Sequence, residues 1–138
     1  GVESDVWSVT SFNELAREGQ LATRVSLRDA SAKPVVSYVA QCLGPRKGPV
    51  IAATDYIKLY AEQIRGLVPG AYTVLGTDGF GRSDTREGLR HFFEVDRQQI
   101  AFAALRTLAD ADEFPADKLK AAQAKYEIDP QKPPPTRM

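Results

Sequence analysis

The sequence predicts an α/β sandwich, and three observations carry that prediction. Short apolar runs punctuated by glycine and proline alternate with stretches of helical apolar spacing. A buried strand feeding a capped amphipathic helix occurs twice, and that pair is the half-unit of a parallel sheet. The chain has 138 residues, 43% of them apolar, which suits one domain with one core and leaves no comfortable room for a second.

Taken in order, Val6-Trp-Ser-Val-Thr10 is β-branched and aromatic and is expected to be a strand, and Ser11-Phe-Asn-Glu14 has capping-box spacing for a helix near Phe12 to Arg17. Gly19 permits a helix stop, with a second short helix within Leu21 to Ala30 and a turn at Ala32-Lys33-Pro34. Val35 to Leu43 is apolar enough for a strand, ended by the surface turn Gly44-Pro-Arg-Lys-Gly-Pro49. Pro49 to Ala53 is the first buried strand. Thr54 or Asp55 is then expected to cap a helix carrying Tyr56, Leu59, Tyr60, Ile64 and Leu67 on one stripe.

The unit recurs with a strand at Ala71 to Gly76, a glycine-containing loop from Thr77 to Ser83, and a helix opened by Asp84-Thr-Arg-Glu87 before Leu89 and Phe92. Asp96-Arg-Gln-Gln99 starts another helix through Ile100, Ala103, Ala104 and Leu108, and a last one runs from about Ala116 to Tyr126. Residues 1–128 therefore read as one domain. Residues 129–138, rich in proline, read as an extended and poorly packed tail. The start, Gly1-Val-Glu-Ser-Asp5 without an initiator methionine, reads as the edge of a fragment.

Composition narrows the function. Lysine plus arginine equals aspartate plus glutamate at 18 each, so no global field favours nucleic acid or an anionic membrane. No apolar run reaches the roughly 20 residues of a membrane helix, and no targeting segment is visible. One cysteine, Cys42, and one histidine, His91, argue against a disulfide or a structural zinc site and suit a reducing, cytoplasmic setting.

Gly76-Thr-Asp-Gly-Phe-Gly-Arg-Ser-Asp-Thr85 is the most informative stretch, because it leaves the carboxyl end of an expected strand, where open α/β sheets place ligand crevices. The candidate residues are Asp78, Gly79, Phe80, Gly81, Arg82, Ser83 and Asp84, with His91 nearby in sequence. No lysine–serine or lysine–threonine pair follows the glycines, so a nucleotide P-loop is excluded, and the dinucleotide spacing also fails. Two readings stand: a tight turn needing positive backbone angles, and a ligand or interface loop.

Elsewhere the plainer roles are favoured. His91 has no partnering nucleophile and reads as a packed or surface histidine, Cys42 as a small core side chain, and Asp55 as a helix cap. Arg46 and Lys47 form a small basic turn suited to solvent or an acidic partner.

Three long motifs carry a resemblance. Asp5-Val-Trp-Ser-Val-Thr-Ser-Phe-Asn-Glu-Leu-Ala-Arg17, Thr54-Asp-Tyr-Ile-Lys-Leu-Tyr-Ala-Glu-Gln-Ile-Arg65 and Leu75-Gly-Thr-Asp-Gly-Phe-Gly-Arg-Ser-Asp-Thr-Arg-Glu87, continuing through Leu89 to Asp96, closely resemble the C-terminal end of homodimeric bacterial pyruvate dehydrogenases. More distantly, the strand, the Asp78-Gly-Phe-Gly81 loop and the following helix resemble the C-terminal domain of transketolases. That resemblance implies a three-layer sandwich with a mostly parallel sheet of about five strands flanked by helices.

It also implies that the full enzyme decarboxylates pyruvate on thiamine diphosphate and Mg²⁺, then transfers the two-carbon unit to a lipoyl group of the acetyltransferase component. No catalytic, cofactor-binding or metal-binding residue is carried over, because the cofactor in that family sits between other domains. The expected partners are the remaining domains of the enzyme, the second subunit of the homodimer and the lipoyl-bearing acetyltransferase, docked through surface charges. The role implied for this domain is to complete the dimer and to border the active-site entrance with the Asp78–Asp84 loop. Two other readings remain, a stand-alone interaction module of the same fold and a small enzyme using His91 with Asp78 or Asp84.

Overall fold

The computed structural model describes residues 2–31 and 33–137. Among the described residues there are six α-helices and one sheet of two strands. Helix α1 (Phe12–Arg28) and the short α2 (Tyr38–Leu43) precede β1 (Val50–Ala53). The chain then passes through α3 (Lys58–Glu62) and a 3-10 turn (Arg65–Leu67) into β2 (Tyr72–Leu75). Helices α4 (Arg86–Phe92), α5 (Arg97–Asp110) and α6 (Ala116–Lys125) follow, and a 3-10 turn at Pro135–Arg137 ends the fold.

The strands pair in parallel with Val50 opposite Tyr72 and Ala53 opposite Leu75, so the α3 segment is a crossover between neighbours. This is the βαβ unit expected from the two strand–helix repeats. The crossover carries much of the core: Ala61 of α3 and Ile64 just beyond it pack with Val68, Tyr72 and Val74, while Ala16 of α1 and Val39 of α2 close the cluster. Phe12, Leu15, Leu43 and Val50 border it.

Several sequence expectations give way here. Val6–Thr10 forms no strand; Val6 is 95% exposed, and among the described residues no neighbouring strand supplies the ladder that its backbone needs. Two of the expected five or so strands are present among the described residues. Gly19 does not stop the first helix, which runs unbroken from the Ser11 cap, whose Oγ accepts from Glu14 N, to Asp29. Leu67 packs against the bare Cα of Gly19, where a β-carbon would meet its side chain. The expected second helix is therefore the C-terminal half of α1.

Val35–Leu43 is not a strand either. Ser37 Oγ accepts from Ala40 N and the Ser37 carbonyl from Gln41 N, so the cap wins over the β-branched character of Val35, Val36 and Val39. Of the turn expected at Ala32–Pro34, Ala32 lies outside the described residues, as do Gly1 and Met138 of the two termini.

On the crossover, Ala61 and Ile64 face inward while Leu59 is 66% exposed, because α3 is only a short turn that breaks into 3-10 geometry at Arg65. Later elements match expectation more closely. Asp96 caps α5 by accepting from Gln99 N, and α6 spans Ala116–Lys125 with Leu119, Ala122 and Tyr126 half-buried on one side. For α4 the cap is Thr85, whose Oγ1 accepts from Gly88 N, one residue beyond Asp84.

Candidate functional site

Because the two strands are parallel, their carboxyl ends share one edge, and the chain leaves that edge twice, at Thr54–Ile57 and at Gly76–Asp84. These two exits are stitched together. Thr77 N donates to the Tyr56 carbonyl (3.0 Å) and Thr77 Oγ1 to the Asp55 carbonyl (3.1 Å). Gly76 makes the stitch possible: a β-carbon there would stand 2.8 Å from Tyr56 O and 3.0 Å from Lys58 N, both backbone atoms.

Asp78 completes it. Lys58 N donates to Asp78 Oδ1 (2.9 Å), and Lys58 Nζ lies 4.0 Å from Oδ2. The residue before α3, Ile57, has no capping side chain, so the helix takes its cap from the other loop. Neither Thr54 nor Asp55 caps α3 as expected. Thr54 Oγ1 accepts from Tyr56 N, and the Asp55 carboxylate stands 3.7 Å from Arg90 Nη2 on α4.

Beyond Asp78 the loop turns outward. Gly79 adopts φ 101°, which favours glycine, whereas Gly81 has nothing within contact distance of where a β-carbon would be. Phe80 is 94% exposed at the tip. Arg82 lays its guanidinium over the Phe92 ring, 4.2 Å from the centroid, and so returns the loop to α4. Ser83 is exposed, and Asp84 Oδ1 accepts from Thr85 N (2.7 Å) at the helix entrance.

His91 is not part of this constellation. Its Nδ1 lies 3.2 Å from Asp96 Oδ2, and Asp96 is itself the α5 cap. Asp78, Asp84 and His91 thus each have a different partner. Cys42 is half-buried on α2, and its hydrogen bond with the Tyr38 phenol raises the Tyr38 pKa. Arg46 is held by Asp5 (3.0 Å) and stacks on Trp7, tying the N-terminal segment to the turn after α2.

The clearest displaced ionisations lie beside the sheet. Burial pushes the Tyr72 phenol up to about 12, with the Glu62 carboxylate adding to the shift and Arg65 opposing it. Glu62 is held below the usual carboxylate range by hydrogen bonds from Arg65 Nε (2.6 Å) and Nη2 (2.8 Å).

The donor set at the loop does not fit thiamine diphosphate with its magnesium ion. Asp78 and Asp84 are both occupied by backbone amides of their own fold, and among the described residues no three histidine, cysteine, aspartate or glutamate side chains converge as a metal-binding group. A groove of about 560 Å³ lies between α1 and the Gln63–Leu67 segment, and a second of about 300 Å³ lies on α6; the loop lines neither.

Sequence reasoning missed two residues that shape the site. Arg90 reaches across to Asp55, and Lys132, from the tail, reaches α4, donating to the His91 carbonyl (2.8 Å) and the Phe92 carbonyl (3.1 Å). A lysine before three prolines carries no local signal of such a contact.

The chain is 56% identical over 98% of its length to the pyruvate dehydrogenase E1 component of Cupriavidus necator, 57% over 96% to that of Pseudomonas aeruginosa, and 51% over 96% to that of Escherichia coli K12. It spans about 15% of the length of each of these relatives. The family model described as the transketolase-like TK C-terminal domain matches residues 1–96. With the parallel βαβ unit and the loop at its carboxyl edge in place, that match means that the chain belongs to the transketolase-like C-terminal domain family.

Proposed function

We propose that this chain is the C-terminal, non-catalytic part of a homodimeric pyruvate dehydrogenase decarboxylating component, and that its Asp78–Asp84 loop borders the entrance to an active site built by other domains. The observation that carries the reading is identity above 50% to pyruvate dehydrogenase E1 components across nearly the whole chain. The loop geometry supports its second half: the ends are pinned at Asp78 and Thr85, while Phe80 projects into solvent.

In this reading residues 1–128 form the domain and 129–138 its tail. The domain is a three-layer sandwich whose mostly parallel sheet has about five strands, of which β1 and β2 are two. Pyruvate is decarboxylated on thiamine diphosphate and Mg²⁺ held elsewhere in the enzyme, and the two-carbon unit passes to the lipoyl group of the acetyltransferase. The setting is cytoplasmic, and the partners are the other domains, the second subunit and the acetyltransferase.

Titration calorimetry of the purified chain with thiamine diphosphate plus Mg²⁺, beside a pyruvate decarboxylation assay of the chain alone, tests this. Both are expected to be silent. A heat of specific binding or measurable turnover means that the chain holds a cofactor site of its own, and the proposal fails.

A further inference from the structure

The tail touches the candidate loop at two places, and both contacts are unusual for a proline-rich terminus. Lys132 Nζ donates to the carbonyls of His91 and Phe92 and lies 3.4 Å from Glu94 Oε1, with its side chain only 18% exposed. An ammonium has three N–H donors, and here three oxygens face it. Two of those oxygens are carbonyls at the C-terminal end of α4, where a cation is favoured by both hydrogen bonding and the helix dipole.

The second contact is at the loop itself. Around Gly79, a β-carbon would meet Pro135 O and Thr136 Cα at 3.4 Å each, so the tail backbone lies against the loop turn. Pro133 and Pro134 separate the two contacts. Their φ angles are fixed before docking, so the tail loses little conformational freedom in bridging from α4 to the loop.

From this geometry we infer that Lys132 is a positioning residue, the anchor by which the tail holds the Asp78–Asp84 loop against α4. Lys132 fixes the carbonyl end of α4, Phe92 there carries the Arg82 guanidinium, and Pro135–Thr136 closes over Gly79. The loop is thus gripped from within at Asp78 and Thr85 and from outside by the tail. The anchoring stands on these contacts alone; its effect on turnover rests on the reading of the loop as an active-site border.

The test compares Lys132→Met, which keeps the apolar stem and removes the charge, with Lys132→Arg, which keeps a donor at the carbonyls, both in the full-length protein. Amide exchange at Thr77 and Lys58, whose N–H groups hold the start of the loop, and tryptic cleavage after Arg82 are read in each. Lys132→Met is expected to speed both several-fold, and Lys132→Arg to restore most of the protection. Exchange at Ala61 and Ile64 is read alongside and is expected to stay at the wild-type rate, which separates loosening of the loop from general unfolding.

Wild-type loop exchange in Lys132→Met, or loss of protection shared equally by Ala61 and Ile64, overturns the inference. The KM of the full enzyme for its acceptor distinguishes the two proposals. A KM raised in Lys132→Met at unchanged kcat, and recovered in Lys132→Arg, supports both. A loosened loop with unchanged KM supports the anchor and overturns the loop's place at the active-site border.

Discussion

Tyr72 shows how one side chain can join a sheet to its crossover. Its ring is buried in the core, its hydroxyl donates to the Ala61 carbonyl (2.8 Å), and its own carbonyl accepts from Arg65 Nη1 (2.7 Å). The neutral phenol is what the site holds, since burial and the neighbouring Glu62 carboxylate both oppose ionisation. The folded-state pKa of about 12 exceeds the ordinary 10.0, so the contribution is complete below pH 10 and is lost as pH rises through 12. Denaturant midpoints measured across that range are expected to fall more steeply for wild type than for Tyr72→Phe. At neutral pH the same substitution is expected to lower stability by about 1 kcal/mol, the net worth of a typical buried hydrogen bond. Equal slopes for the two proteins at high pH would remove Tyr72 from the account.

At the scale of elements, the decisive feature is the stitch between the segments that follow β1 and β2. Gly76→Ala forces a methyl group against Tyr56 O and Lys58 N, and neither backbone atom can yield without breaking Thr77 N–Tyr56 O or Lys58 N–Asp78. Thermal or denaturant unfolding is expected to show a loss of about 1–3 kcal/mol, the usual cost of overpacking. A loss below a few tenths would show that the strand ends are free to part. The same stitch explains what was legible in the sequence. Strands at Val50–Ala53 and Tyr72–Leu75, and the caps at Ser11 and Asp96, follow from local spacing and could be read directly. The α3 cap could not, because Asp78 lies 20 residues away, and nothing local to Lys58 announces it. Likewise Val6–Thr10 has strand composition, but a strand is a property of two segments, and among the described residues no second segment pairs with it. Gly19 sits inside α1 against the Leu67 side chain, a contact made across the fold that helix-stop chemistry does not announce. The loop was legible as a loop, while its partners on α3, α4 and the tail were not.

Across the whole molecule, burial is uneven. The core gathers on α1, α2, α3 and the two strands, whereas α5 and α6 contain no buried residue. Native-state amide exchange is expected to be slowest at Ala61, Ile64 and Val74 and at least tenfold faster through α6, since local opening follows buried contact. Equal protection in α6 and β2 would contradict that distribution. The crossover adds a kinetic consequence. Parallel pairing generally demands that distant stretches of chain meet, which slows folding. Here both strands, the helix between them and the stitch that closes their ends all lie between Val50 and Asp78. The entropy lost in closing so short a loop is small. The most protected unit can therefore form early, from a brief window of the chain, and offer a surface on which α1 and the tail condense afterwards.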